Sequence, residues 1–164
     1  MSKINRITKT SMKYDIEKIK EEIKFLEDKQ EYKLGDERTD VGMIIMNEDV
    51  DDTWEMSKIK KDFNLDMAGI ARMNPKTCYA FHYDYSPRVH VAIDTSEDNF
   101  FLFSDTKQYH IPMDGHAYVI DTTEKHTFVN ADDTKHRYHI GGHPHFMWSW
   151  DSILNNDIVL ESYS

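Results

Sequence analysis

From residue 67 onwards the sequence is a succession of short apolar or alternating segments, each closed by residues that favour turns. Asn74-Pro75 closes the first segment, and Asp114-Gly115 has the composition of a tight hairpin turn. The segments are too short for helices, and their regular spacing is typical of antiparallel β-strands. The predicted strands cover residues 68–73, 77–84, 88–94, 99–103, 107–112, 116–121, 127–130 and 135–140.

The first third of the chain has a different pattern. Ile16, Ile19 and Ile23 recur at helical spacing, and a capping box predicts a second helix that begins at Asp52. Helices followed by strands indicate an α+β chain, mainly β, with a double-stranded β-helix of the jelly-roll or cupin-like kind. We expect one domain, in which residues 1–66 form a helical buttress against one sheet. Residues 67–164 then form the β core and an aromatic C-terminal segment.

The charge balance argues against nucleic acid as the main partner. The chain has 20 Lys and Arg residues against 30 Asp and Glu residues, a net charge of −10 that phosphates would repel. No apolar run approaches the length of a membrane span, and the N-terminus lacks the core of a signal peptide. A single cysteine, Cys78, cannot form an intrachain disulfide. We therefore expect a cytoplasmic protein without a membrane partner, whose oligomeric state the sequence leaves open.

Three polar residues in the strand region have the types and order that a facial iron site requires. His82 and Asp84 are two positions apart on one predicted strand, so both side chains point to the same face. His126 directly precedes a later strand, which can return beside the first in a double-stranded β-helix. Two nitrogens and one carboxylate on one side of Fe(II) leave positions open for a 2-oxo acid and O₂. The alternative is an ordinary polar pair on a solvated strand face.

Two arginines accompany this candidate site. Arg137 lies on the strand after His126, where a guanidinium could bind the remote carboxylate of a dicarboxylic acid; the alternative is a surface salt bridge. Arg88 shares a strand face with His90, while the other face of that strand is apolar. The polar face therefore lines a cavity or faces solvent.

The region that contains these residues resembles the aspartyl/asparaginyl β-hydroxylase-like branch of the Fe(II)/2-oxoglutarate-dependent dioxygenases. Bacterial free-proline hydroxylases share the same layout. The resemblance covers about residues 68–140 and leaves the N-terminal helices outside. It rests on Arg72-x-x-Pro75, His82-Tyr83-Asp84-x-x-x-Arg88-Val89-His90-x-x-Ile93-x-Thr95, Gly115-x-x-x-x-Ile120-Asp121, His126-x-x-x-Asn130 and Arg137-x-His139.

The resemblance implies a double-stranded β-helix that binds Fe(II) and consumes 2-oxoglutarate and O₂. Such an enzyme hydroxylates an unactivated C–H bond and releases succinate and CO₂. By position, the resemblance implies that His82, Asp84 and His126 are the iron ligands. It implies that Arg137 is the arginine that binds the C5 carboxylate of 2-oxoglutarate. Arg88 and His90 match an Arg-x-His pair that lines the co-substrate pocket.

The substrate is expected to be an amino acid or a residue within a peptide or protein. Arg72 could bind a substrate carboxylate or form a structural ion pair. Trp148 and Trp150 could form a lid over the cavity, or pack on the sheet or at a dimer interface. Two other functions stay open: a non-catalytic cupin-like metal-binding or sensing module, which the same ligands would serve, and a structural jelly-roll subunit.

Overall fold

The computed structural model describes residues 5–28, 41–45, 50–144, 150 and 157–163. These parts of the chain form two helices and eleven strands. In chain order the elements are β1 (Ile7–Lys13), α1 (Ile16–Asp28), β2 (Val41–Ile45), α2 (Glu55–Asp62), β3 (Leu65–Met73), β4 (Thr77–Cys78), β5 (Arg88–Asp94), β6 (Asn99–Phe103), β7 (Gln108–Tyr109), β8 (His116–Ile120), β9 (His126–Asn130), β10 (Arg137–Pro144) and β11 (Val159–Tyr163).

The strands form two antiparallel sheets. The larger sheet has seven strands in the order β11-β1-β8-β5-β10-β3-β2, and the smaller sheet has four in the order β4-β9-β6-β7. The prediction of a mainly β chain with two helices is confirmed, and the arrangement is that of a β-sandwich. No helix in the described part of the chain combines the length and apolar character that crossing a membrane demands.

Each face of the larger sheet has its own hydrophobic core. On one face, Ile19 and Ile23 of α1 and Ile59 of α2 pack against Val89 and Val91 of β5, in what we call the helix-side cluster. On the other face lies the inter-sheet cluster, to which the larger sheet contributes Met73, Ala92, Tyr118 and Ile120 and the smaller sheet contributes Phe101, Phe103 and Phe128. Period-two alternation along β5 therefore decides which side chains face the helices and which face the second sheet.

The second helix begins later than the capping box at Asp52 predicts. Helix α2 starts at Glu55, and Trp54 precedes it without a side-chain cap. The carboxylate of Glu22 on α1 instead accepts hydrogen bonds from the backbone N–H groups of Glu55, at 2.8 Å, and Met56, at 3.0 Å. The orphan donors of one helix are thus satisfied by the neighbouring helix, which a local motif cannot reveal.

Residues 1–66 are more than a helical buttress. Strand β1 lies between β8 and β11, and β2 pairs with β3, so both belong to the larger sheet. The sequence analysis missed β1 because two of its buried positions are threonines, Thr8 and Thr10, rather than apolar residues. It also missed β11, an edge strand with no buried residue.

Two local predictions in the strand region are wrong. The predicted strand 77–84 is regular only at β4, and its remainder joins the sheet through a single bridge at His82. The turn at Asp114-Gly115 closes no hairpin, because β7 belongs to the smaller sheet and β8 to the larger. Gly115 has a φ of 82°, and a Cβ there would lie 2.8 Å from the carbonyl oxygen of Tyr14. This turn is therefore fitted against the end of β1.

The inter-helix cap gives a stability prediction. Glu22→Ala should lower the free energy of unfolding by about 1–2 kcal/mol, as expected for the loss of a helix N-cap, and urea denaturation monitored by circular dichroism measures it. Glu21→Ala is the matched control, since Glu21 is exposed on the same helix. Equal stability of the two variants would contradict the capping role.

Candidate active site

His82 and His126 are joined through their backbones. Each residue donates its N–H to the carbonyl oxygen of the other, at 2.9 and 3.0 Å, in an isolated antiparallel bridge. The N–H of Asp84 donates to the carbonyl oxygen of Thr122 at 2.9 Å. Although residues 79–87 are mostly irregular, these bonds fix them beside the start of β9.

The same segment is also tied to the larger sheet. The hydroxyl of Tyr85, next to Asp84, shares a hydrogen bond of 2.6 Å with Nε2 of His143 near the end of β10. The two rings meet edge to face, with centroids 5.0 Å apart. The segment with two of the predicted ligands is therefore held from both sheets.

The side chains of His82, Asp84 and His126 come together as the sequence analysis predicts. One ligand atom from each lies within 4.8 Å of the others, and in the described part of the chain no second group of three such residues is found. Nε2 of His82 is 3.8 Å from Asp84 Oδ1, and Nε2 of His126 is 3.9 Å from Asp84 Oδ2. His82 is exposed and His126 is buried, so the group lies between the interior and solvent. Their role as metal ligands remains a prediction.

Hydrogen bonds to backbone carbonyls orient both imidazoles. Nδ1 of His82 bonds the carbonyl oxygen of Ala80, and Nδ1 of His126 bonds that of Glu124, each at 2.8 Å. Because a carbonyl only accepts, the proton must be on Nδ1, and the Nε2 lone pairs are free for an ion. Burial and the neighbouring His82 lower the pKa of His126, which keeps its ring neutral at pH 7.

Asp84 has one strong partner. Nε of Arg88 donates to Asp84 Oδ2 at 2.8 Å, and both side chains are largely shielded from solvent. This ion pair holds the carboxylate in place beside the two histidines. Bonds of about 2.1 Å at right angles would put ligand atoms about 3 Å apart, so small side-chain rotations would close the group around one ion.

The three side chains open onto a cavity of about 260 Å³ between the two sheets. Its size is near the lower end of small-molecule sites. Gly69, Ala71 and Gly141 form part of its wall on the larger sheet, where the absence of large side chains leaves the space free. A Cβ on Gly141 would lie 3.2 Å from Cε1 of His90, so this glycine also permits the close approach of that ring.

Arg137 is buried at this cavity. Its side chain is 2% exposed, and its guanidinium stacks on Phe128 with Cζ 3.8 Å from the ring centroid. One Nη donates weakly to Sδ of Met73 at 3.8 Å, while Nε and the other Nη have no hydrogen-bond partner within the described part of the chain. Among the described residues no carboxylate lies within ion-pair distance, which argues against the alternative of a surface salt bridge.

The charge of Arg137 persists in spite of its burial. Burial lowers the pKa of Arg137 to about 10, so the guanidinium is still protonated at pH 7. An uncompensated buried charge is costly, and such groups are normally paired or bound to a counter-ion. The arrangement therefore suits an anionic ligand in the cavity.

Two further histidines meet beside Arg137. Nδ1 of His90 lies 3.2 Å from Nδ1 of His139, and both rings line the cavity. Burial, reinforced by the charge of Arg137, lowers the pKa of both histidines well below its usual value, so both are neutral at pH 7. The sequence analysis includes His139 only as the second member of the Arg137-x-His139 pair and assigns it no chemical role. The two residues share one face of β10, and both line the cavity.

Of the two substrate candidates that the structure describes, Arg72 and Trp150, neither lines this cavity. Ala71 of β3 faces the cavity, so the next residue, Arg72, lies on the other face of the strand, on the side of the helices. There it is paired with Tyr138 of β10. The substrate role of Arg72 stays a prediction, and the structure places this residue away from the cavity. Trp150 is partly buried against the helix-side cluster, in line with a packing role. Trp148 lies outside the described residues.

Comparisons with known proteins place the fold but not the family. No protein-family model matches the sequence, and no curated protein matches it. Among solved structures, the fold is similar to that of a prolyl-4-hydroxylase from Pseudomonas putida, with a TM-score of 0.57 and 10% sequence identity. The match covers 84% of this chain and 91% of that chain. The protein is thus a β-sandwich with a prolyl-4-hydroxylase-like fold; the aspartyl/asparaginyl β-hydroxylase-like branch remains a prediction.

The neutral histidines predict a pH dependence of stability. Above about pH 6.5, the ordinary pKa of histidine, folded and unfolded chains both hold His90 and His139 neutral. Below it only the unfolded chain takes up these protons, so the free energy of unfolding should fall, by up to about 1.4 kcal/mol per pH unit for each histidine. Urea denaturation of metal-free protein at pH 7.5, 6.5 and 5.5 measures this slope.

A pair of variants isolates the contribution of the buried ring. His139→Gln should reduce the slope of the unfolding free energy against pH below pH 6.5 by the contribution of about one proton, because glutamine does not titrate. His136→Gln, at an exposed position one residue before β10, should leave the slope unchanged. Identical slopes in wild type and His139→Gln would show that His139 is not held neutral.

Proposed function

We propose that this protein is an Fe(II)/2-oxoglutarate-dependent dioxygenase that hydroxylates an unactivated C–H bond, built on a double-stranded β-helix. One observation supports this proposal above all others. The group of His82, Asp84 and His126 and the unpaired guanidinium of Arg137 open onto the same small cavity. A site that binds a metal ion and a remote anion together suits a metal-chelating dicarboxylate.

The donor set fits a first-row divalent metal with open positions. His82 and His126 offer Nε2 lone pairs fixed by their Nδ1 hydrogen bonds, and Asp84 offers a carboxylate oriented by Arg88. Two histidines and one carboxylate are the ligands of non-haem Fe(II) oxygenases. When bound, the iron with 2-oxoglutarate and O₂ supplies the oxidation of the C–H bond, with succinate and CO₂ as the other products.

The remaining cavity residues bind and orient the co-substrate in this proposal. Arg137 would form the ion pair with the C5 carboxylate, the end of 2-oxoglutarate remote from its chelating 2-oxo acid group. Arg88 and His90 line the same cavity and would contact the co-substrate there. The aromatic side chains of Phe101 and Phe128 line the cavity from the smaller sheet and give that wall an apolar surface.

The proposed substrate is an amino acid or a residue in a peptide or protein. Exposed His82, flanked by exposed Phe81 and Tyr83, marks the side of the metal group that faces solvent. A substrate approaching there would reach the metal without entering the small cavity that holds the co-substrate. The fold similarity to a prolyl-4-hydroxylase supports hydroxylation as the reaction class.

The metal ligands can be tested without any substrate. His82→Ala and His126→Ala should each weaken Fe(II) or Co(II) binding at least about 10-fold, since even residues that only orient metal ligands contribute that much. Isothermal titration calorimetry under anaerobic conditions measures it. His136→Ala is the control, because His136 is exposed and outside the group. Unchanged affinity in both ligand variants would remove the metal centre from the proposal.

The co-substrate site is tested by anaerobic titration of the Fe(II)-loaded protein with 2-oxoglutarate. We expect a visible metal-to-ligand charge-transfer band that Arg137→Ala weakens by at least about 10-fold in apparent affinity, because a buried charge pair is lost. Arg72→Ala, which removes a guanidinium outside the cavity, should leave the band unchanged. Folded, iron-loaded protein that neither shows the band nor binds 2-oxoglutarate would favour the metal-binding or sensing module instead.

A further inference from the structure

Three buried nitrogens at the cavity find no hydrogen-bond partner among the residues that the structure describes. Two belong to the guanidinium of Arg137, and the third is Nε2 of His139, whose side chain is 1% exposed. A buried polar atom without a partner costs about 1–3 kcal/mol. Three such atoms on neighbouring residues of the same strand face indicate that a ligand with several acceptor atoms completes this part of the cavity.

We infer that His139 is a second binding residue for the anion held by Arg137, and that it donates a hydrogen bond from Nε2 to the C5 carboxylate of the co-substrate. The inference rests on the proposed function and goes beyond it, because it assigns a specificity-determining role to His139. It also gives His90 a positioning role, through the contact between the two rings.

The contact with His90 determines what His139 can offer. Two neutral imidazoles whose Nδ1 atoms share one hydrogen bond have one proton between them, so one outer Nε2 is a donor and the other an acceptor. An anion beside Arg137 stabilises the arrangement with the proton on Nε2 of His139. His90 then donates from Nδ1 and turns a lone pair towards the rest of the cavity.

A neutral donor suits this position better than a second cation. Burial, followed by the charge of Arg137, lowers the pKa of His139, so a protonated imidazole there would add a like charge in a buried place. The neutral ring adds a directed hydrogen bond without that cost. The guanidinium of Arg137 therefore provides the positive charge for the anion, and the imidazole of His139 provides a directed hydrogen bond.

Packing fixes both side chains before any ligand arrives. The ring of Phe128 contacts Arg137 on one side, and its centroid lies 5.4 Å from that of His139. On the larger sheet His139 pairs with Ala71, whose small side chain leaves room beside the imidazole. If His139 served only to fill space, an apolar side chain of similar size would do so without a buried unpartnered nitrogen.

The test compares two 2-oxo acids that differ only at the remote end. 2-Oxoglutarate has a carboxylate there, whereas 2-oxopentanoate has a methyl group on a chain of the same length. Both can chelate the metal through the 2-oxo acid group, so anaerobic titration of Fe(II)-loaded protein reports both affinities. The ratio of the two affinities isolates the binding of the C5 carboxylate, because a general loosening of the cavity affects both ligands.

Two variants of similar length separate the hydrogen bond from packing. His139→Met removes the donor and should reduce the preference for 2-oxoglutarate about 10-fold, as expected for a hydrogen bond to a charged group. His139→Gln keeps an N–H donor near the position of Nε2 and should retain most of the preference. Circular dichroism and Fe(II) titration verify that both variants fold and bind metal.

The outcomes distinguish this inference from the proposed function. Wild-type protein that prefers 2-oxoglutarate while His139→Met keeps the full preference would overturn the role of His139 and leave the proposed function standing. If His139→Met lost affinity equally for both 2-oxo acids, and His139→Gln lost the same amount, the inference would also be overturned, in favour of a packing role. Wild-type protein that binds neither 2-oxo acid would overturn both.

Discussion

The packing of the two helices against the larger sheet is the contact on which the rest of the structure depends. It buries Ile19, Ile23 and Ile59 against β5 and its neighbours, and so supplies a continuous apolar core on one side of the sheet. Burial of apolar area is the main stabilising contribution to folding, so this core stabilises the sheet from one side. The other face carries the inter-sheet cluster and, beside it, Arg137, His90 and His139 around a cavity.

The two ends of the candidate site are built differently. Arg137 and His139 lie on β10, which is paired on both sides, with β3 and with β5, so their backbone positions are fixed. His82 and Asp84 lie on an irregular segment that a few hydrogen bonds attach to β9, Thr122 and His143. A rigid anion end next to a more adjustable metal end suits a group whose ligand atoms must move closer together when an ion binds.

Part of the fold was predictable because apolar and polar residues alternate strongly along some strands. The bounds of β5 and β6 follow directly from the sequence, because these strands are apolar on one face or both and end at polar turn residues. The capping of α2 by Glu22 and the missed β1 depend on distant partners, which one sequence does not show. The grouping of His82, Asp84 and His126 was predictable from residue types and order. The exclusion of Arg72 was not, because it depends on which face of β3 meets the second sheet.

The net charge of the cavity lining is opposite in sign to that of the whole chain. The chain carries a net charge of −10, yet the cavity is lined by two guanidiniums, Arg88 and Arg137, and one carboxylate, Asp84. At physiological ionic strength, charges more than about 8 Å apart are largely screened in solvent, whereas charges within a low-dielectric cavity are not. The acidic exterior therefore does little to repel a small dianion that reaches the cavity. In the proposed function, this contrast favours a small dicarboxylate as the ligand of the cavity.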